Sequence, residues 1–98
     1  MAIQIKAGRD VINLWVDVTV TATSGRQIAN VTTTLDEFPV ANDDLNPPQD
    51  SYQNTWHDLG LGTVGATHKV EVTAVDDQGK IEAASKTWQD QGGSPTGP

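Results

Sequence analysis

The sequence predicts an all-β chain folded as two antiparallel sheets packed face to face. Three observations predict it. Residues 16–23, Val-Asp-Val-Thr-Val-Thr-Ala-Thr, alternate apolar and polar side chains and run into Ser24-Gly25. Residues 69–76, Lys-Val-Glu-Val-Thr-Ala-Val-Asp, do the same and run into Asp77-Gln78-Gly79-Lys80. Period-two alternation buries one face of a strand and wets the other. The composition agrees: Val occurs 10 times, Thr 12 times and Ile 5 times, and ten of the thirteen acidic residues are Asp. β-Branched residues fit a pleated surface, and Asp favours turns over helix interiors.

A short first strand is expected at 2–6, where Ile3 and Ile5 share a face, broken by Gly8-Arg9-Asp10. A long strand follows over 11–23. Its Leu14, Val16, Val18, Val20 and Ala22 lie on one face, and Asp17, Thr19, Thr21 and Thr23 on the other. Residues 24–27 make a turn. The third strand is 28–35, with Ala29, Val31, Thr33 and Leu35 inward. Residues 36–51 hold Pro39, Asn42-Asp43-Asp44 and Asn46-Pro47-Pro48. Proline removes ladder donors, so this stretch reads as a loop, or at best a short edge strand near Phe38. So long a loop serves either a function or a crossover between sheets. The fourth strand is 52–59, and the glycine-rich linker 60–65 leads to the fifth at 68–75. The sixth is 81–88. The segment 89–98 is glycine- and proline-rich and offers nothing to a core. The domain is therefore drawn at 1–90, with a flexible tail at 91–98. Val18, Val20, Val31, Trp56, Val70 and Val72 are the expected inter-sheet core.

At 98 residues the chain is one domain, able to bury a modest core. It has no cysteine, which excludes disulfides and thiolate metal sites. Six basic and thirteen acidic residues give a net charge of −7, which repels nucleic acid and anionic membrane surfaces. No apolar run approaches the roughly 18–20 residues that span a bilayer, and the N-terminus lacks the pattern of an export signal. The chain therefore reads as a cytoplasmically made product or as a fragment given a starting Met.

The pattern Tyr52-x-x-x-Trp56, then Gly60 to Gly65, His68-x-Val70-x-Val72-Thr73-Ala74, Asp76-x-x-Gly79 and Ser85 to Trp88 resembles the bacterial and phage immunoglobulin-like domains. Residues 18–24 resemble that family's second strand, so the likeness covers about Val16 to Trp88. It implies an immunoglobulin-like antiparallel β-sandwich of about seven strands. It specifies architecture rather than activity. The inter-sheet disulfide of the antibody branch is absent, and 36–51 is longer and richer in Pro and Asp than a plain spacer requires.

Gly60-Leu-Gly62-Thr-Val-Gly65 is a literal G-x-G-x-x-G, but a strand pattern follows it where a nucleotide site needs a helix. It reads as a chain reversal. Asp43, Asp44 and Asn46 in one segment and Asp76 and Asp77 in another offer oxygens to calcium, without the spacing of a calcium loop. The turn reading is preferred. His57 and His68 read as surface or strand-end residues, since no spacing supports zinc. Ser24, Ser51 and Ser85 lack a nucleophile elbow. Asn30-Val-Thr32 is a formal glycosylation sequon without a secretion context. No catalytic residue, cofactor site or metal site is expected.

Trp56 is assigned to the core through the resemblance. Trp15 shares parity with Asp17 and Thr19, and Trp88 with Glu82 and Lys86, so both are expected to be exposed. For these tryptophans a protein interface is preferred, then partial burial at the end of the sandwich, then a sugar platform. The binding residues named from sequence are Ile3, Ile5, Trp15 and Trp88. The expected function is non-enzymatic: a phage virion protein on the particle surface, as capsid decoration or as a tail or fibre appendage with weak affinity for cell-surface glycans. It would dock on the larger assembly through its first strand and its tail. The alternative is a spacer, adhesion or carbohydrate-binding module of a larger bacterial surface or secreted protein.

Overall fold

The computed structural model describes residues 1–9, 13–57, 59–60 and 65–90. Seven strands follow in order: β1 (Ala2–Arg9), β2 (Leu14–Thr21), β3 (Ile28–Leu35), β4 (Phe38–Gln49), β5 (Ser51–Trp56), β6 (Thr67–Asp76) and β7 (Ile81–Gln89). They form two sheets, β1-β2-β5 and β4-β3-β6-β7. Every paired neighbour is antiparallel.

The alternation does what it predicts. Val16, Val18 and Val20 of β2, Ile28 and Val31 of β3, and Val70, Val72 and Ala74 of β6 are all fully buried in one cluster. Each branched side chain so buried contributes about 1.5–3 kcal/mol. Trp56 is half-buried and packs against this cluster from β5. Thr33 is also fully buried, and its hydroxyl has no hydrogen-bond partner among the described residues.

Several expectations are corrected. Residues 36–51 are not a loop. They hold the tight turn at Asp36-Glu37 and the twelve-residue β4. β4 is an edge strand, and an edge tolerates residues that, like proline, lack an N–H. Register shifts near Thr33 and near Ile28 absorb the irregularity. The second of these turns Ile28 into the core in place of Ala29, which is only half-buried. β1 continues through Gly8 to Arg9 and does not break at Gly8, because Gly8 pairs with Trp15 and Arg9 with Leu14. The strand start expected at Val11 and the tail at 91–98 lie outside the described residues.

Chain direction gives the sandwich two distinct poles. At the N-pole Ala2 lies opposite Thr21, and the turns at 22–27 and 77–80 close the end. At the C-pole Gln89 lies opposite Thr67, beside the turn at Asp36-Glu37. Strands of eight to ten residues separate the poles by roughly 25–30 Å.

Candidate functional site

Polar side chains converge at the C-pole, on positions that strand parity reserves for the core. Inward residues of β1 run Ile3, Ile5, Ala7 and then Arg9. After β7 the ladder gains one further step: Asp90 N–H donates to Ala66 O at 2.8 Å, and Gly65 N–H donates to Asp90 O at 2.7 Å. That step turns the Asp90 side chain inward, where it is fully buried. Arg9 meets it with both arms of its fork, Nε to Oδ1 at 2.7 Å and Nη2 to Oδ2 at 2.6 Å. These bonds raise the guanidinium above its ordinary value, against the opposing effect of desolvation.

His68 lies beside this pair. Its Nδ1 is 2.7 Å from Asp36 Oδ2. A carboxylate only accepts, so Nδ1 carries the proton and donates. Nε2 is buried without a hydrogen-bond partner among the described residues, 3.7 Å from Asp90 Oδ2. The Trp88 ring covers His68 with centroids 5.2 Å apart. His68 therefore lies at a strand end, as one of its two expectations had it, but in the interior rather than on the surface. It continues the inward row of Val70, Val72 and Ala74.

Asp76, at the other end of that same row, is buried at the N-pole. Its Oδ1 accepts the N–H groups of Gln78 and Lys80, each at 2.9 Å, and Arg26 Nη1 lies 3.6 Å from Oδ2. Burial alone would raise this carboxyl. The two backbone bonds and the charges of Arg26 and Lys80 outweigh that and hold it below the usual aspartate range. A small cleft of about 90 Å³ beside it is lined by Met1, Thr23, Arg26, Asp76, Lys80 and Glu82. Its charges pair with one another: the Met1 amino group lies 3.4 Å from Glu82 and donates to Thr23 Oγ1 at 2.7 Å. Asp76 thus works as a turn-closing residue.

Asp43, Asp44 and Asp77, the other acids weighed as calcium ligands, also have protein partners. Asp43 accepts the Tyr52 hydroxyl, joining β4 to β5 across the sheets. Burial, then this bond, push the Tyr52 phenol up. Asp44 and Asn42 accept from the Asn30 amide on the outer face. Among the described residues no cluster of three or more His, Asp or Glu could hold a metal ion, and no helix is long and apolar enough to cross a membrane.

The four residues named from sequence are not brought together. Ile3 and Ile5 point inward from β1 and pack against the core. Trp15 is half-buried on the outer face of β2 and lies over Gly8. A Cβ at Gly8 would come within 3.2–3.3 Å of three indole atoms, so the ring would have to give by a few tenths of an ångström to admit it. Asp17, Gln53 and Thr55 form a hydrogen-bonded group on that same face. Trp88 points inward beside His68 and is half-buried at the C-pole, so the alternative of partial burial at the sandwich end holds for it rather than exposure. Its parity partners Glu82 and Lys86 also point inward, half-buried on an edge strand where charged ends reach water past the rim. His57 is exposed, as expected. The Gly60-to-Gly65 linker is described only at its ends. Arg9, Asp90 and Phe38 were missed. Arg9 and Asp90 are joined by no local pattern, while the tight turn before Phe38 was hidden by the loop reading.

No family model matches the chain, and no curated protein matches its sequence. Among solved structures it is similar to the fibronectin(III)-like modules of CbhA from Clostridium thermocellum, with a TM-score of 0.52 and 17% identity over 93% of this chain and 100% of that one. At this identity the likeness speaks for fold alone. Together with the two antiparallel sheets it makes the chain an immunoglobulin-like β-sandwich.

Proposed function

We propose that this domain is a non-catalytic module that spaces or binds within a larger chain or assembly. The observation that carries the reading is polarity: β1 begins at one end of the sandwich and β7 finishes at the other. A body threaded this way can be set in line between neighbours. The likeness to structures described as modules supports the same reading. So does the use of charge, because the buried carboxylates at both poles are taken up by protein donors that hold the ends shut.

The finer reading, docking on a phage particle surface, draws on a different observation. β1 is an edge strand, the place in a sheet where a partner's strand can add. Weak glycan affinity on a cell or particle surface would use the Trp15 ring and the polar group of Asp17, Gln53 and Thr55 beside it. Purification from the native source with intact-mass measurement tests the proposal. A longer polypeptide containing these residues identifies an in-line module. The 10.4 kDa chain sedimenting with a particle identifies an appendage. A free monomer that sediments with nothing overturns both.

A further inference from the structure

The turn between β3 and β4 is held in a backbone conformation that its residues resist. Asp36 and Glu37 both have positive φ, 51° and 70°. Two-residue hairpin turns of this hand favour Asn and Gly, because a Cβ crowds the left-handed region. The conformation is braced from the C-pole cluster. His68 Nδ1–H donates to Asp36 Oδ2 at 2.7 Å, Lys69 N–H donates to Oδ1 at 2.8 Å, and Asp36 N–H donates to Lys69 O at 2.8 Å. His68 is in turn fixed under Trp88 and beside the Arg9–Asp90 pair. The tip is therefore set in one shape before any partner arrives, and strain held in this way points to a use for that shape.

What the tip presents is Phe38, 74% exposed, the more exposed of the two large apolar side chains left in water among the described residues; Ile81 is the other, at 63%. Glu37 precedes it, exposed, and Pro39 follows. Pro39 has no N–H, so this point of the edge cannot extend a sheet by backbone pairing. Contact here has to run through side chains.

We propose that Phe38 anchors a protein-docking site at the C-pole, seated in an apolar pocket that a partner protein rims with Lys or Arg. This deepens the module reading and rests on it, naming the surface and the chemistry of the partner. An aromatic anchor inside a charged rim is where interface energy concentrates. The carboxylates of Asp36 and Glu37 supply the rim on this side, on a chain of net charge −7. A second copy of the chain is excluded as occupant, because it would bring the same two carboxylates against them.

The test is photocrosslinking in the native host. Phe38, Ile81 and Gln4 are each replaced, in separate variants, by p-benzoylphenylalanine. Gln4 sits on the outer face of the edge strand β1 and reports docking there. The expected result is one discrete adduct from position 38, with a partner peptide carrying Lys or Arg beside apolar residues. Adding Glu37→Lys should lower its yield roughly tenfold. Unchanged melting of Glu37→Lys confirms that the fold is intact. A position-38 adduct on an acidic peptide, or one indifferent to Glu37→Lys, overturns the proposal. An adduct from Gln4 or Ile81 but not from position 38 overturns it and leaves the module reading standing. Silence at all three positions overturns the proposal, while the module reading stands or falls on the intact-mass measurement.

Discussion

At the C-pole the buried carboxylate of Asp90 meets a guanidinium 81 residues away in sequence; at the N-pole the buried carboxylate of Asp76 meets N–H groups two and four residues ahead of it. Both sit at the end of an inward row, where alternation would otherwise place an apolar side chain. The difference is range. Asp76 closes its own turn, and its bonds form as soon as that turn does. Asp90 ties β7 to β1, the edge strands of opposite sheets, and its bonds form only when both sheets are in place. The fold is thus closed locally at one end and cooperatively at the other.

The comparison makes graded predictions. Asp90→Ala should be the most damaging, because it leaves the Arg9 guanidinium without its carboxylate. Breaking a buried pair from one side costs about 3–5 kcal/mol. In a domain of this size that lowers the melting midpoint by more than about 12 °C. Val72→Ala supplies the measure of an ordinary core loss, about 1–3 kcal/mol by chemical denaturation. If Asp90→Ala costs less than Val72→Ala, the long-range closure is ornamental and the contrast fails.

Asp76→Asn should cost less than Asp90→Ala at neutral pH, and its cost should depend on acidity. The folded carboxyl sits below the usual aspartate range. Its contribution is therefore complete above that range and is lost as pH falls through the folded value. Melting curves of wild type and Asp76→Asn should stay separated at pH 6 and converge below about pH 4. A separation that persists unchanged in acid would remove the carboxylate from the account. The smallest effect expected is a gain. Glu37→Gly relieves a positive φ and should raise stability by up to about 1 kcal/mol, less the entropy that glycine adds to the unfolded chain. A lower midpoint would mean that the turn is not strained.

Legibility in the sequence followed the same division between local and distant. β2, β3, β6 and β7 were readable because a two-residue period is written in neighbouring residues, and so was Asp76 as a turn residue. β4 was not. Prolines exclude a central strand, but an edge strand tolerates them, and nothing in 36–51 says which it is. His68 was in fact written in the pattern, in phase with Val70, Val72 and Ala74. Its position at the strand's start weighed against the period, and the period was right. Trp88 misled for the opposite reason. Its phase partners Glu82 and Lys86 look like an outward face, yet on an edge strand inward charges can slip past the rim. The Arg9–Asp90 pair could not be read at all, since only the packing of two sheets brings those residues together.

The placement of β1 and β7 has a mechanical consequence. Antiparallel ladder bonds lie across the strands. Tension applied between the two ends of the domain would run along β1, whose eight rungs to β2 would bear it together in shear rather than open one by one. The Arg9–Asp90 pair bridges the last residue of β1 to the point where the chain leaves β7. It would share that load, so that a pull on one end is felt at once by both edge strands.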